Sequence, residues 1–138
     1  MKKQHIMGAA ILAFSLVGIG CASNGDNLYS KAKPAGIIVQ DSALGKVLAD
    51  QHGMTLYTFD KDTEGMSNCY GPCEQKWPPL HSKQATDEMD FSTVVRKDGS
   101  LQVRYHNKPL YLWVGDKQAG DTTGDGVKDV WHVVPVAK

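Results

Sequence analysis

The chain holds three cysteines, and two of them, Cys69 and Cys73, enclose only Tyr70, Gly71 and Pro72. Thiols at this spacing support two chemistries. In an oxidising compartment a close pair forms a disulfide, and Gly-Pro supplies a tight turn that brings the two Cβ atoms within bonding reach. Closing so small a ring stabilises the fold by about 2 kcal/mol on a chain-entropy estimate. Kept reduced, the same thiolates would form, with Met66 and His81 nearby in sequence, a soft donor set suited to copper. No histidine follows Cys73 at a short fixed spacing. The disulfide is therefore the expectation, with no cofactor, and a copper or redox site is the alternative.

Two other groups invite a chemical reading. The run from Asp121 through Asp125 to Asp129 is similar to a calcium loop, which places oxygen ligands at its first, third, fifth, seventh and ninth positions. Thr123 stands where the third ligand would be an acid, and His132 where the last would be a bidentate acid. Two lost charges argue against tight calcium binding. His52 and His106 fall in turns, and His132 follows Trp131; turn histidines are mostly exposed, although imidazole is also a common metal ligand. Enzyme signatures are missing: there is no Gly-x-Ser-x-Gly, no His-Glu-x-x-His and no phosphate-cradling glycine loop. No acid pair stands out for glycoside chemistry. Fifteen Lys and Arg balance fifteen Asp and Glu, which gives no basic face for nucleic acid.

The elements that carry these residues come in two copies. Leu56-Tyr57-Thr58-Phe59-Asp60-Lys61-Asp62 is echoed by Leu110-Tyr111-Leu112-Trp113-Val114-Gly115-Asp116, at an offset of 54 residues. The same offset pairs Gly45 with Gly99, His52 with His106 and Trp77 with Trp131. Two copies are too few for a solenoid, so the pattern implies one pseudo-symmetric domain. Tyr57, Phe59, Trp77, Tyr111, Trp113 and Trp131 are its expected aromatic core, since such side chains dominate core energetics and need partners for their polar tips. Asp62 and Asp116 are expected to cap the turn after each strand through short bonds to backbone.

Tyr-x-aromatic-x-x-Asp, twice, with Cys69-Tyr-Gly-Pro-Cys73, Trp77-Pro-Pro and the later Gly-rich run to Trp131, resembles a family of bacterial secreted repeats and predicted lipoproteins. The resemblance covers about residues 37 to 136. It implies an extracytoplasmic compartment and carries no established activity.

The start of the chain agrees. Lys2 and Lys3 precede an apolar run from Ile6 to Ile19 that ends at Gly20-Cys21, the form of a signal peptide and too short for a membrane span of about 20 apolar residues. Residues 1–20 thus read as a lipoprotein signal peptide with Cys21 as the lipidated residue, although Gly18 stands where such signals usually carry Leu. Residues 21–35 read as a flexible polar tether. The expected location is the bacterial envelope, lipid-anchored on the extracytoplasmic side; Ala22 in place of the Asp that retains such proteins at the inner membrane points to the outer membrane. Its partners are then the membrane, through the anchor, and an unknown envelope protein or small ligand.

Residues 36–138 are expected to form a single β domain, with repeat one at about 37–80 and repeat two at about 91–136. Eight short strand candidates occur at 37–39, 47–49, 54–59, 77–80, 91–96, 101–105, 109–114 and 130–136, with turn residues between them. The prolines after Trp77 favour an edge or extended segment. Lys97-Asp98-Gly99-Ser100 is a hairpin signal, and the polar stretch 81–90 has room for a helical turn. No crossover helix is available, so pairing is antiparallel. The predicted fold is all-β, a small antiparallel two-sheet or barrel-like domain built from two pseudo-symmetric repeats.

Overall fold

A computed structural model of the protein describes residues 36–88 and 90–137. The expected signal peptide and tether, with Cys21, lie outside the described residues. The fold is all-β, and the described residues hold nine short strands, one short α-helix and a 3-10 turn at Val127–Asp129: β1 Ile37–Ser42, β2 Gly45–Asp50, β3 Tyr57–Phe59, α1 Pro72–Lys76, β4 His81–Ser82, β5 Asp87–Glu88, β6 Phe91–Val95, β7 Leu101–Tyr105, β8 Lys108–Pro109 and β9 Trp131–Val133. They make three antiparallel sheets: β1-β2, β3-β9, and a third ordered β4-β7-β6-β5 with β8 beside β7. There is no closed barrel among the described residues. Pro78 and Pro79 before β4, Pro109 at the end of β8 and Pro135 after β9 lack ladder donors, which limits pairing at these places.

The two hairpins are the repeated scaffold. β1-β2 pairs Ile37 with Asp50 and Ser42 with Gly45; β6-β7 pairs Phe91 with Tyr105 and Val95 with Leu101. Alternation along β7 turns Val103 inward among Ile37, Leu48, Leu56, Phe91, Leu110 and Val134, one buried apolar cluster shared by both repeats. The turn between β7 and β8 uses His106 (φ 46°) and Asn107 (φ 64°), two consecutive left-handed residues as the tightest hairpins require.

The connections cross between repeats. Instead of closing on its own hairpin, the end of repeat one runs to the hairpin of repeat two: His81 pairs with Gln102 and Ser82 with Leu101. The end of repeat two does the converse, the Leu48 N–H bonding to the Val134 carbonyl and the Val136 N–H to the Lys46 carbonyl. The motif strands are likewise exchanged, since Tyr57 pairs with Val133 and Tyr111 bridges to Pro79. At the centre Tyr57 and Tyr111 exchange both backbone hydrogen bonds, each at 2.9 Å. The pseudo-two-fold passes through this pair.

Two local expectations are corrected: 77–80 is not a strand and holds only an isolated bridge at Pro79, and the described residues of 81–90 hold no helical turn. The latter stretch holds the two-residue strands β4 and β5 instead, because hydrogen-bonding edges of β7 and β6 lie beside it. The turn of helix lies earlier, in α1, where Pro72 at the first position and Glu74 in the first turn are favourable N-terminal residues.

Candidate functional site

Each tyrosine of the repeated motif reaches across to the other copy. The Tyr57 hydroxyl donates to Asp116 Oδ2 at 2.7 Å, and the Tyr111 hydroxyl donates to Asp62 Oδ2 at 2.7 Å. Both tyrosines are wholly buried. The remaining carboxylate oxygens serve backbone, as expected of turn caps, but over longer spans: Asp62 Oδ1 accepts the Asn68 N–H at 2.7 Å, and Asp116 Oδ1 accepts the Thr123 N–H at 3.0 Å and its hydroxyl at 2.6 Å. The motif is thus a reciprocal lock, with a loop held at either end.

Burial sets the electrostatics of this lock. It pushes both phenols well above the usual tyrosine range, and the accepting carboxylates push them further. Burial also raises the Asp62 carboxyl, although the bonds from Asn68 and Tyr111 and the nearby Arg96 pull the other way.

Around the lock the rings stack in alternating order of repeat. Phe59 lies on Trp131 (4.1 Å between centroids, 13°), Trp131 on Trp77 (3.8 Å, 1°) and Trp77 on Trp113 (4.1 Å, 29°). Tyr57 meets Trp77 edge-on at 5.3 Å, and Tyr111 meets Trp131 edge-on at 5.1 Å. The two edge-on contacts are the arrangement that the ring quadrupoles favour. Trp77 and Trp131 are buried, whereas Phe59 and Trp113 at the two ends are half-buried. Gly124 fits where no side chain would, because a Cβ there would lie 2.8 Å from Trp77 and 2.9 Å from Tyr57. Its N–H donates to the Tyr57 oxygen.

The cysteines of the first loop are joined: Cys69 and Cys73 form a disulfide with their Cα atoms 5.3 Å apart. Beneath it lies a residue that the sequence reading passed over. Arg96 has no exposed side-chain surface and donates to Ser67 Oγ, to Gln102 Oε1 and to the Cys69 carbonyl at 3.0, 2.7 and 3.0 Å. Glu74 of α1 pairs with it at 3.3 Å, and Tyr70 stacks on its guanidinium. Ser67 Oγ lies 2.7 Å from the Tyr111 oxygen. Since the Tyr111 proton is committed to Asp62, Ser67 supplies the proton of that bond. A chain of polar contacts therefore runs from Asp62 through Tyr111 and Ser67 to Arg96.

Beside the aromatic column opens a cleft of about 360 Å³, bordered by Pro72, Cys73, Val127 and Val130 as well as the stacked rings. A larger, more polar hollow of about 750 Å³ lies near Ile37, His52 and His81. The copper candidates are not gathered into one donor set: His81 lines the polar hollow, Met66 is exposed, and both sulfurs are bonded to each other. The calcium candidates also turn elsewhere. Asp121 Oδ2 accepts the N–H groups of Lys117 and Gln118, Asp125 Oδ1 accepts that of Val133, and Asp129 is exposed. Among the described residues no three His, Cys, Asp or Glu side chains come together as a metal site. His132 pairs with Asp60 at 2.7 Å, while His52 and His106 stay exposed in their turns.

A family model described as a secreted repeat of unknown function matches residues 39–81 and 92–135, one match for each copy. No curated protein and no solved structure matches the chain. A secreted repeat works outside the cytoplasm, in the envelope or the extracellular space. Among the described residues no helix is long and apolar enough to cross a membrane.

Proposed function

Because the chain belongs to this family of secreted repeats, we propose that it is a non-enzymatic module of the bacterial envelope, tethered by lipid at Cys21, that binds a small ligand or a partner in the aromatic cleft. The observation that carries this reading is the cleft itself. It is concave and largely apolar, and it is walled by a column that both repeats build and the Tyr–Asp lock holds in place. Ligand sites combine an apolar wall with few polar groups on a rigid frame. A screen of small fragments by NMR tests it: hits should cluster on Lys76, Val127 and Lys128. Hits confined to the hollow around His52 and His81, or no hits at all, would count against the reading. For the anchor, Cys21→Ser should move the protein from the membrane to the soluble fraction, and continued membrane partition would place the anchor elsewhere.

One observation favours a second reading, redox work by the Cys69–Cys73 pair. Cys73 borders the same cleft, so a disulfide–dithiol couple there would face a molecule seated on the rings. On that reading the Cys69→Ser, Cys73→Ser double variant keeps its fold and its binding but loses electron transfer.

A further inference from the structure

The cleft also declares what kind of molecule fits it. Lys61, Lys76 and Lys128 stand around its apolar wall, and no acidic residue lines it. The chain is neutral as a whole, so three cations at one opening do not follow from bulk composition. Three acids elsewhere are engaged locally: Asp41 holds Lys46, Glu74 holds Arg96 and Asp60 holds His132. None of the three cleft lysines makes an ion pair or a side-chain hydrogen bond with the described residues. Lys128 reaches the rim through a left-handed backbone (φ 51°), followed by a second such residue, Asp129 (φ 59°). Non-glycine residues adopt that conformation at a cost, and such strain gathers at ligand sites.

The aromatic wall adds a second preference. Trp131 and Trp113 both stack on Trp77, with centroids 3.8 and 4.1 Å away, and two such rings cannot share one face without overlapping. They therefore cover opposite faces, and by the same reasoning Phe59 and Trp77 cover both faces of Trp131. What these two indoles present to the cleft is their edges. Ring edges carry the positive part of the quadrupole and favour an electron-rich partner. The Trp113 N–H is already given to Thr123 at 3.1 Å. Those of Trp77 and Trp131 have no acceptor among the described residues. Neither is sealed in, since Arg96 Nε is the one sealed, unpartnered side-chain polar atom there.

Resting on the cleft reading above, we infer that the ligand is a planar organic anion: a flat unsaturated body against the ring edges, with a carboxylate or similar acidic group among the three ammonium groups. Cations are poor fits, because the opening already carries three ammonium groups and no carboxylate.

The test uses the intact protein, ¹⁵N-labelled, titrated with naphthalene-2-carboxylate, its uncharged amide and the non-planar cyclohexanecarboxylate. Naphthoate should saturate, move the indole N–H resonances of Trp77 and Trp131 more than that of Trp113, and bind at least tenfold more tightly than either comparison compound. The Lys61→Gln, Lys76→Gln, Lys128→Gln triple variant changes exposed residues only, and it should lose that advantage over the amide while still binding the amide. Equal binding of amide and naphthoate, or an advantage that survives the triple variant, overturns the anion and leaves the cleft reading standing. Equal binding of cyclohexanecarboxylate overturns the planar body. Silence of the cleft residues toward all three probes overturns both inferences.

Discussion

The loop after the first motif and the loop after the second hold their aspartates by different means. In the first, a disulfide closes residues 69–73 and a buried guanidinium binds the Cys69 carbonyl and Ser67 from below. In the second no cysteine is present, and the work falls to hydroxyl, carboxylate and backbone groups. Thr123 holds Asp116, Asp121 gathers two backbone N–H groups, and the Thr55 hydroxyl donates to the Asp121 carbonyl. The oxygen of the opposing tyrosine is met by Ser67 in one half and by the Gly124 N–H in the other. Both halves nevertheless deliver a carboxylate oxygen to within 2.7 Å of the other repeat's phenol. The constant element is the crossed Tyr–Asp bond; the way each aspartate is presented is free to differ.

The largest effect should come from what the halves share. Trp77→Ala and Trp131→Ala each open the centre of the column and should cost ~3–5 kcal/mol, with similar values because the two positions are equivalent. Trp113→Ala, at a half-buried end, should cost clearly less. Chemical denaturation of the three variants checks this, and strongly unequal costs for Trp77 and Trp131 would break the equivalence.

Arg96 sharpens the difference between the loops. Arg96→Met leaves Ser67, Gln102, Glu74 and the Cys69 carbonyl without their cation and should cost about 3 kcal/mol, although a methionine fills much of the volume. Hydrogen exchange should rise across residues 62–74 and not across 116–130. Next in size is the disulfide. Cys69→Ser with Cys73→Ser should cost about 2 kcal/mol and loosen only the first loop, as measured by melting and by exchange.

A smaller effect follows from pH. Both locked phenols are raised, so the stability they confer is complete below the unfolded tyrosine pKa of about 10 and is lost as pH climbs past it toward the folded values. Above pH 10 each contributes a decline of up to about 1.4 kcal/mol per pH unit. Asp62 is shifted in the same direction, so its contribution is complete below the ordinary carboxylate range and is lost as pH rises through its folded pKa. Stability measured from pH 8 to 11 should fall more steeply for the native protein than for the Tyr57→Phe, Tyr111→Phe double variant. Equal slopes would mean that the hydroxyls titrate normally.

Much of the scaffold was legible in the sequence. The 54-residue offset gave both hairpins and the equivalence of Trp77 with Trp131, because a repeated core needs repeated large side chains. Thiol spacing gave the disulfide. The crossing was not legible: Asp62 is five residues from Tyr57, and a local cap and a bond to the other copy leave the same spacing. Arg96 was passed over because arginine is rarely fully buried. A signal was nevertheless present, since Gln102 stands where the first copy has the core residue Leu48, and Arg96 where it has Ser42; a polar residue in place of a repeated core residue marks an asymmetric site. The cleft was out of reach, because its three lysines come from separate segments that only the exchanged strands bring together.

The central claim is that each tyrosine is bound to the aspartate of the other repeat, and a double-mutant cycle tests it most directly. Tyr57→Phe and Asp116→Asn should each destabilise the fold by about 2 kcal/mol, and together they should cost at least about 1 kcal/mol less than the sum. The cycle of Tyr57→Phe with Asp62→Asn, within one motif, should be additive to about 0.5 kcal/mol. Coupling of Tyr57 to Asp62, with none to Asp116, would contradict the account.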